Sequence, residues 1–126
     1  MVQQQTLLKV MDNSGATWAK CIKILGGLKK KYATIGDYIT VSVKQLKNKS
    51  KKTGKVKKKD IYKALVIKTR TKVWQKTGYA KMFTYNAIIL LNKQKTPIAT
   101  RILTFMPASL KKKKLQKIIT LSMGLV

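Results

Sequence analysis

Residues 39–44, ITVSVK, alternate strictly between apolar and polar side chains. An extended strand points successive side chains to opposite faces, so it alone gathers Ile39, Val41 and Val43 on one side. The segment predicts a half-buried β-strand. Two further runs, ALVI within 61–74 and NAIILLN at 86–92, are almost wholly apolar and predict strands covered on both faces. TLLKVM (6–11) reads as a strand too, as does WAKCIKIL (18–25), where Ile22 and Ile24 alternate with Cys21, Lys23 and Leu25. DNSG (12–15), GG (26–27) and KQKTP (93–97) carry turn formers, and QKTG (75–78) predicts a hairpin between 70–74 and 79–83. Short strands with turns at this spacing suggest a small closed barrel, which leaves no sheet edge exposed.

The last quarter changes period. Leu115, Ile118 and Ile119 recur at helical spacing behind Pro107 and Ser109, predicting one or two short helices in 107–121, basic on one side. No repeat or linker interrupts 1–126, which is expected to form one mostly-β domain.

Charge then sets the partner. The 126 residues hold 29 basic side chains against three acids, a net charge of +26, yet 44% are hydrophobic. Disorder does not suit that apolar content, and a compact monomer would repel itself. Nucleic acid neutralises such a surface, because lysines displace the counterions of phosphates. The densest segment is KNKSKKTGKVKKKD (47–60), with Lys47, Lys49, Lys51, Lys52, Lys55, Lys57, Lys58 and Lys59. Lys29, Lys30 and Lys31 form a second cluster, Lys111, Lys112, Lys113 and Lys114 a third, and Lys44 and Lys72 lie within the strand stretches 39–44 and 61–74. These are the expected RNA contacts, together with Arg70 and Arg101, the two forked cations in a chain that otherwise uses lysine. Lysine contacts of this kind position a protein without reading bases. Trp18, Tyr32, Trp74 and Tyr79 lie among the lysines, where stacking on unpaired bases and ordinary packing are both open.

The same composition excludes other classes. Asp12, Asp37 and Asp60 are the only acids and histidine is absent, so the chain lacks paired acid–base groups and metal-ligand clusters. No catalysis and no cofactor is expected; each aspartate adjoins a turn, where backbone hydrogen bonding accounts for it. Cys21 is the single cysteine, which rules out an internal disulfide and suits a buried small side chain. No run reaches the length of a membrane helix. SLKKKKLQKII could lie on a membrane surface, but packing on a barrel with lysines outward suits its short apolar face better. No membrane partner is expected.

Several motifs follow in order: QxxTxLxVxDNSGA (3–16), CIKxLGG (21–27), YAxxGDxI (32–39), GKVKK (54–58), NA (86–87), TRI (100–102) and KII (117–119). Together they resemble the universal large-subunit ribosomal protein L-fourteen family over the whole chain. The resemblance implies a five-stranded β-barrel with a protruding basic hairpin and short C-terminal helices. It implies a structural constituent of the large subunit that binds large-subunit rRNA, packs beside the L-three and L-nineteen families, and bridges to small-subunit rRNA. It also implies a surface for the ribosomal silencing factor at Thr100, Arg101 and Lys117. Lys59 stands where the family usually has Gly, after a longer loop, and Ala108 and Ser109 replace an Arg and a Glu. The different reading is a dissociable single-stranded RNA-binding barrel, a translation or RNA-chaperone factor. The use of Lys in place of Arg suggests an A/T-rich genome, and MVQQQTLLKV resembles neither signal peptide nor presequence. A protein made and used in a mitochondrion is expected, with plastid or bacterial cytoplasm as alternatives.

Overall fold

The computed structural model describes residues 1–48, 54–113 and 115–126. Strand β1 (Leu7–Val10) pairs antiparallel with β2 (Ala16–Ile24), β2 with β3 (Tyr38–Leu46), and β3 with β4 (Ile61–Lys68). A two-stranded excursion follows, β5 (Val73–Trp74) and β6 (Ala80–Lys81), before β7 (Ala87–Leu91) returns antiparallel to β4. β7 then pairs in parallel with β1 through Lys9↔Ala87 and Val10↔Ile88, closing a five-stranded barrel. Closure removes the edges that five separate strands would expose.

The barrel interior follows the alternation read from the sequence. Ile39, Val41 and Val43 point inward and are fully buried, beside Leu8, Ala19, Ala64, Val66, Ile88 and Leu90. The unbroken apolar runs of β4 and β7 have a second cause. Their odd-numbered partners, Leu65, Ile67, Ile89 and Leu91, face outward into another core with Ile102, Met106, Leu110 and Ile118. The C-terminal segment builds that outer wall from a 3-10 helix (Ala108–Lys113) and a short helix α1 (Gln116–Ile119). It is tied down by Leu103 N–H to the Met11 carbonyl (2.9 Å) and by Met106 N–H to Gly124 (2.9 Å). The basic C-terminal segment therefore packs on protein. Among the described residues no helix is long and apolar enough to cross a membrane.

β2 departs from the expected phase. Cys21 pairs with Val41 and Lys23 with Thr40, so Ile22 is the extra residue of a bulge and its side chain is exposed, while Cys21 and Ile24 are buried. A bulge inserts one residue and flips the alternation beyond it. The expected strand 61–74 also ends early, at Lys68, and the hairpin's paired strands shrink to two residues each. Gly78 at φ 87° makes its turn, with Gly78 N–H on the Gln75 carbonyl at 3.0 Å.

Candidate nucleic-acid interface

The turn DNSG organises one end of the barrel. Asp12 is buried, and its Oδ1 accepts the Ser14 N–H (3.0 Å) and the Ser14 hydroxyl. Its Oδ2 accepts the Leu90 N–H at 2.9 Å. Burial pushes this carboxyl above its ordinary range, opposed by those hydrogen bonds and by the charge on Lys47. Asn13 Oδ1 accepts the N–H groups of Thr100 (3.1 Å) and Arg101 (3.2 Å), and Asn13 Nδ2 donates to Thr100 Oγ1 at 2.9 Å. The backbone of Thr100 and Arg101 is thus fixed while the Arg101 side chain stays exposed. Ile102 N–H binds the Leu121 carbonyl at 2.9 Å, joining that segment to the chain just beyond α1, which carries exposed Lys117.

Around this frame the expected contacts divide. Lys29, Lys31, Lys44, Lys47, Lys55, Lys57, Lys58, Lys59, Arg70, Lys72 and Lys111 are all exposed. Lys30 is half-buried, and its Nζ lies 2.9 Å from Asp37 Oδ2. Burial pushes the Asp37 carboxyl up, but the Thr34 N–H (2.8 Å), the Lys30 ammonium and the Thr34 hydroxyl outweigh it and hold the group below its ordinary value. Lys30 therefore braces its own loop. Lys112 and Lys113 contribute backbone to the 3-10 helix. Lys49, Lys51, Lys52 and Lys114 lie outside the described residues.

The fold adds and removes cations that sequence alone does not sort. Lys95 joins Lys111 and Lys117 around a cleft of about 550 Å³ floored by Leu115 and Ile118. Lys68 goes the other way and is buried, its Nζ donating to Thr104 Oγ1 at 2.5 Å. It also lies 5.2 Å from the Phe83 ring centroid and 5.3 Å from that of Tyr85, so ring faces take the place of a counter-ion. Burial pushes the Tyr85 hydroxyl up, but Thr104, Lys68 and Lys9 together hold it below its ordinary value. Among the aromatics flagged by sequence, Trp74 (73%) and Tyr79 (76%) are far more exposed than Trp18 (37%) and Tyr32 (44%).

No group of three acid, Cys or His side chains suited to a metal occurs among the described residues. Cys21 is buried, which pushes its thiol up. The surface is a cationic frame built on fixed turns. A family model for ribosomal protein L14p/L23e matches residues 1–126.

The chain belongs to the L14p/L23e family.

L14p/L23e proteins are structural components of the large ribosomal subunit, not enzymes, and this chain is one of them. The buried Asp12 and the backbone-fixing Asn13 give this chain's DNSG turn an architectural cause, and ribosome association follows from membership.

Proposed function

We propose that the protein is held in the large subunit by direct contact of its lysine loops with rRNA phosphates. The carrying observation is the arithmetic of charge: 29 cations face three acids in the whole sequence, and one of those acids, Asp12, is buried in a turn. Most of the exposed lysines thus have no acid in the chain to pair with. The loop lysines Lys29 and Lys31, Lys44 on β3, the 47–60 segment, Arg70, Lys72, Arg101 and the 111–114 run act as phosphate anchors on one folded domain spanning 1–126. Lysine's flexible point charge suits converging backbones better than base edges.

Within the subunit, this reading gives the protein L-three and L-nineteen neighbours and a bridging contact to small-subunit rRNA. Thr100, Arg101 and Lys117 offer the silencing-factor surface; the Asn13 hydrogen bonds that hold Thr100 and Arg101 support it. The Lys-for-Arg usage favours a mitochondrial ribosome.

Two measurements test the proposal. In a high-salt sucrose gradient the chain should stay stoichiometric in the large-subunit peak. Release to the top of the gradient would instead mark a dissociable RNA-binding factor. With purified rRNA fragments, about eight phosphate contacts give a log–log salt slope of roughly −6 to −7. A slope near −1 would sink the mechanism.

A further inference from the structure

Beside the 47–60 segment the barrel wall is opened by two offset irregularities. Ala16 pairs with Leu46, Trp18 with Gln45 and Ala19 with Val43, which leaves Thr17 unpaired on β2 and Lys44 unpaired on β3. The Thr17 hydroxyl donates to the Gln45 carbonyl at 3.1 Å and holds the distortion in place. Bulges re-aim side chains. Here Lys44 and Gln45, neighbours in sequence, are both exposed, and Trp18 is turned partly out of the wall.

These side chains line a cleft of about 770 Å³. Leu7, itself 52% exposed, and Trp18 contribute apolar lining; Gln45 supplies an amide, and Lys44, Lys57 and Lys58 line it with positive charge. The far wall is anchored by Val56, which is buried in the barrel core. No carboxylate is among the described lining residues. An indole, an amide and three ammonium groups match a flat heteroaromatic ring attached to phosphates. That volume falls within the usual range for a small-molecule site.

We propose that this cleft seats one unpaired RNA base stacked on Trp18, its edge toward Gln45 and its flanking phosphates on Lys44, Lys57 and Lys58. The inference rests on the RNA-binding reading above and goes beyond it, because phosphate anchoring alone needs no aromatic lining. A base inside a duplex cannot reach the indole, so the cleft distinguishes single-stranded from paired RNA.

The test uses the full chain carrying Trp74→Phe, which leaves Trp18 as the only tryptophan. Emission is followed during titration with a short oligoadenylate, a blunt RNA duplex and poly-glutamate. Oligoadenylate should quench Trp18 while the duplex binds without quenching. Trp18→Ala should weaken oligoadenylate binding about tenfold and leave duplex affinity unchanged. Trp18→Phe should retain most of the binding and guards against a folding artefact. Salt-dependent oligoadenylate binding with unmoved Trp18 emission, or equal affinity in Trp18→Ala, overturns the base seat and leaves phosphate anchoring standing. Failure to bind either RNA overturns both. Equal quenching by poly-glutamate overturns the base seat in favour of an acidic polypeptide.

Discussion

The Asp12 carboxylate accepts the Leu90 N–H at 2.9 Å across 78 positions of sequence, fastening the turn after β1 to the far end of β7. The same carboxylate serves two groups of Ser14. Asp12→Ala would strand these donors in a buried site, at a cost of roughly 2–4 kcal/mol. Asp12→Asn keeps acceptor capacity on one side only and should cost about half as much. Urea midpoints of the two variants check the order.

Acid should reveal Asp37 separately. Its folded-state carboxyl is held below 3.8, so its contribution is present above that value and lost as pH falls through the folded-state value. Asp12 carries the opposite sign. Its carboxyl is raised above 3.8, so its pH-linked contribution is complete below 3.8 and lost as pH rises through the folded-state value. Stability measured against pH should therefore fall less steeply at the acid end in Asp37→Asn than in the parent chain. An unchanged acid limb would refute the stabilisation of the Asp37 carboxylate by Thr34 and Lys30.

Lys59 occupies a left-handed backbone position, φ 72°, while its N–H binds the Val43 carbonyl at 2.9 Å. A side chain there costs energy that glycine avoids. Lys59→Gly should raise stability by about 0.5–1 kcal/mol, read as a higher thermal midpoint, despite the lost cation.

Leu110 is fully buried and joins the 3-10 helix to the outer wall of the barrel. Leu110→Ala should destabilise by about 2–5 kcal/mol. An exposed position such as Lys111→Ala should stay within about 0.5 kcal/mol. Parallel denaturation of the two variants separates a packed C-terminal segment from a loosely attached one.

The architecture was readable where one residue's neighbours in sequence decide its fate. Period two in ITVSVK put Ile39, Val41 and Val43 inside, and the apolar runs of β4 and β7 required cover on both faces. Ile22 defied its pattern because a bulge depends on the register of β3 as well as on β2. The site was less readable for a related reason. Lys30 and Lys68 look like every other lysine along the chain, and only the folded positions of Asp37, Phe83, Tyr85 and Thr104 withdraw them from the surface. Gln45 carried no signal of its own. Its role comes from the distorted pairing beside Trp18.

The parallel joint between β1 and β7 has a consequence for biosynthesis. Chain growth delivers β1 through β4 as an open meander, and the seam at Val10↔Ile88 cannot form until the ninth decade of residues has left the exit tunnel. Even then the outward side chains of Leu65, Ile67, Ile89 and Leu91, partly covered by Ile35 and Phe83, lack the rest of their cover until Met106, Leu110 and Ile118 arrive. The nascent chain is thus most adhesive just before it is finished, while its lysines already keep like copies apart.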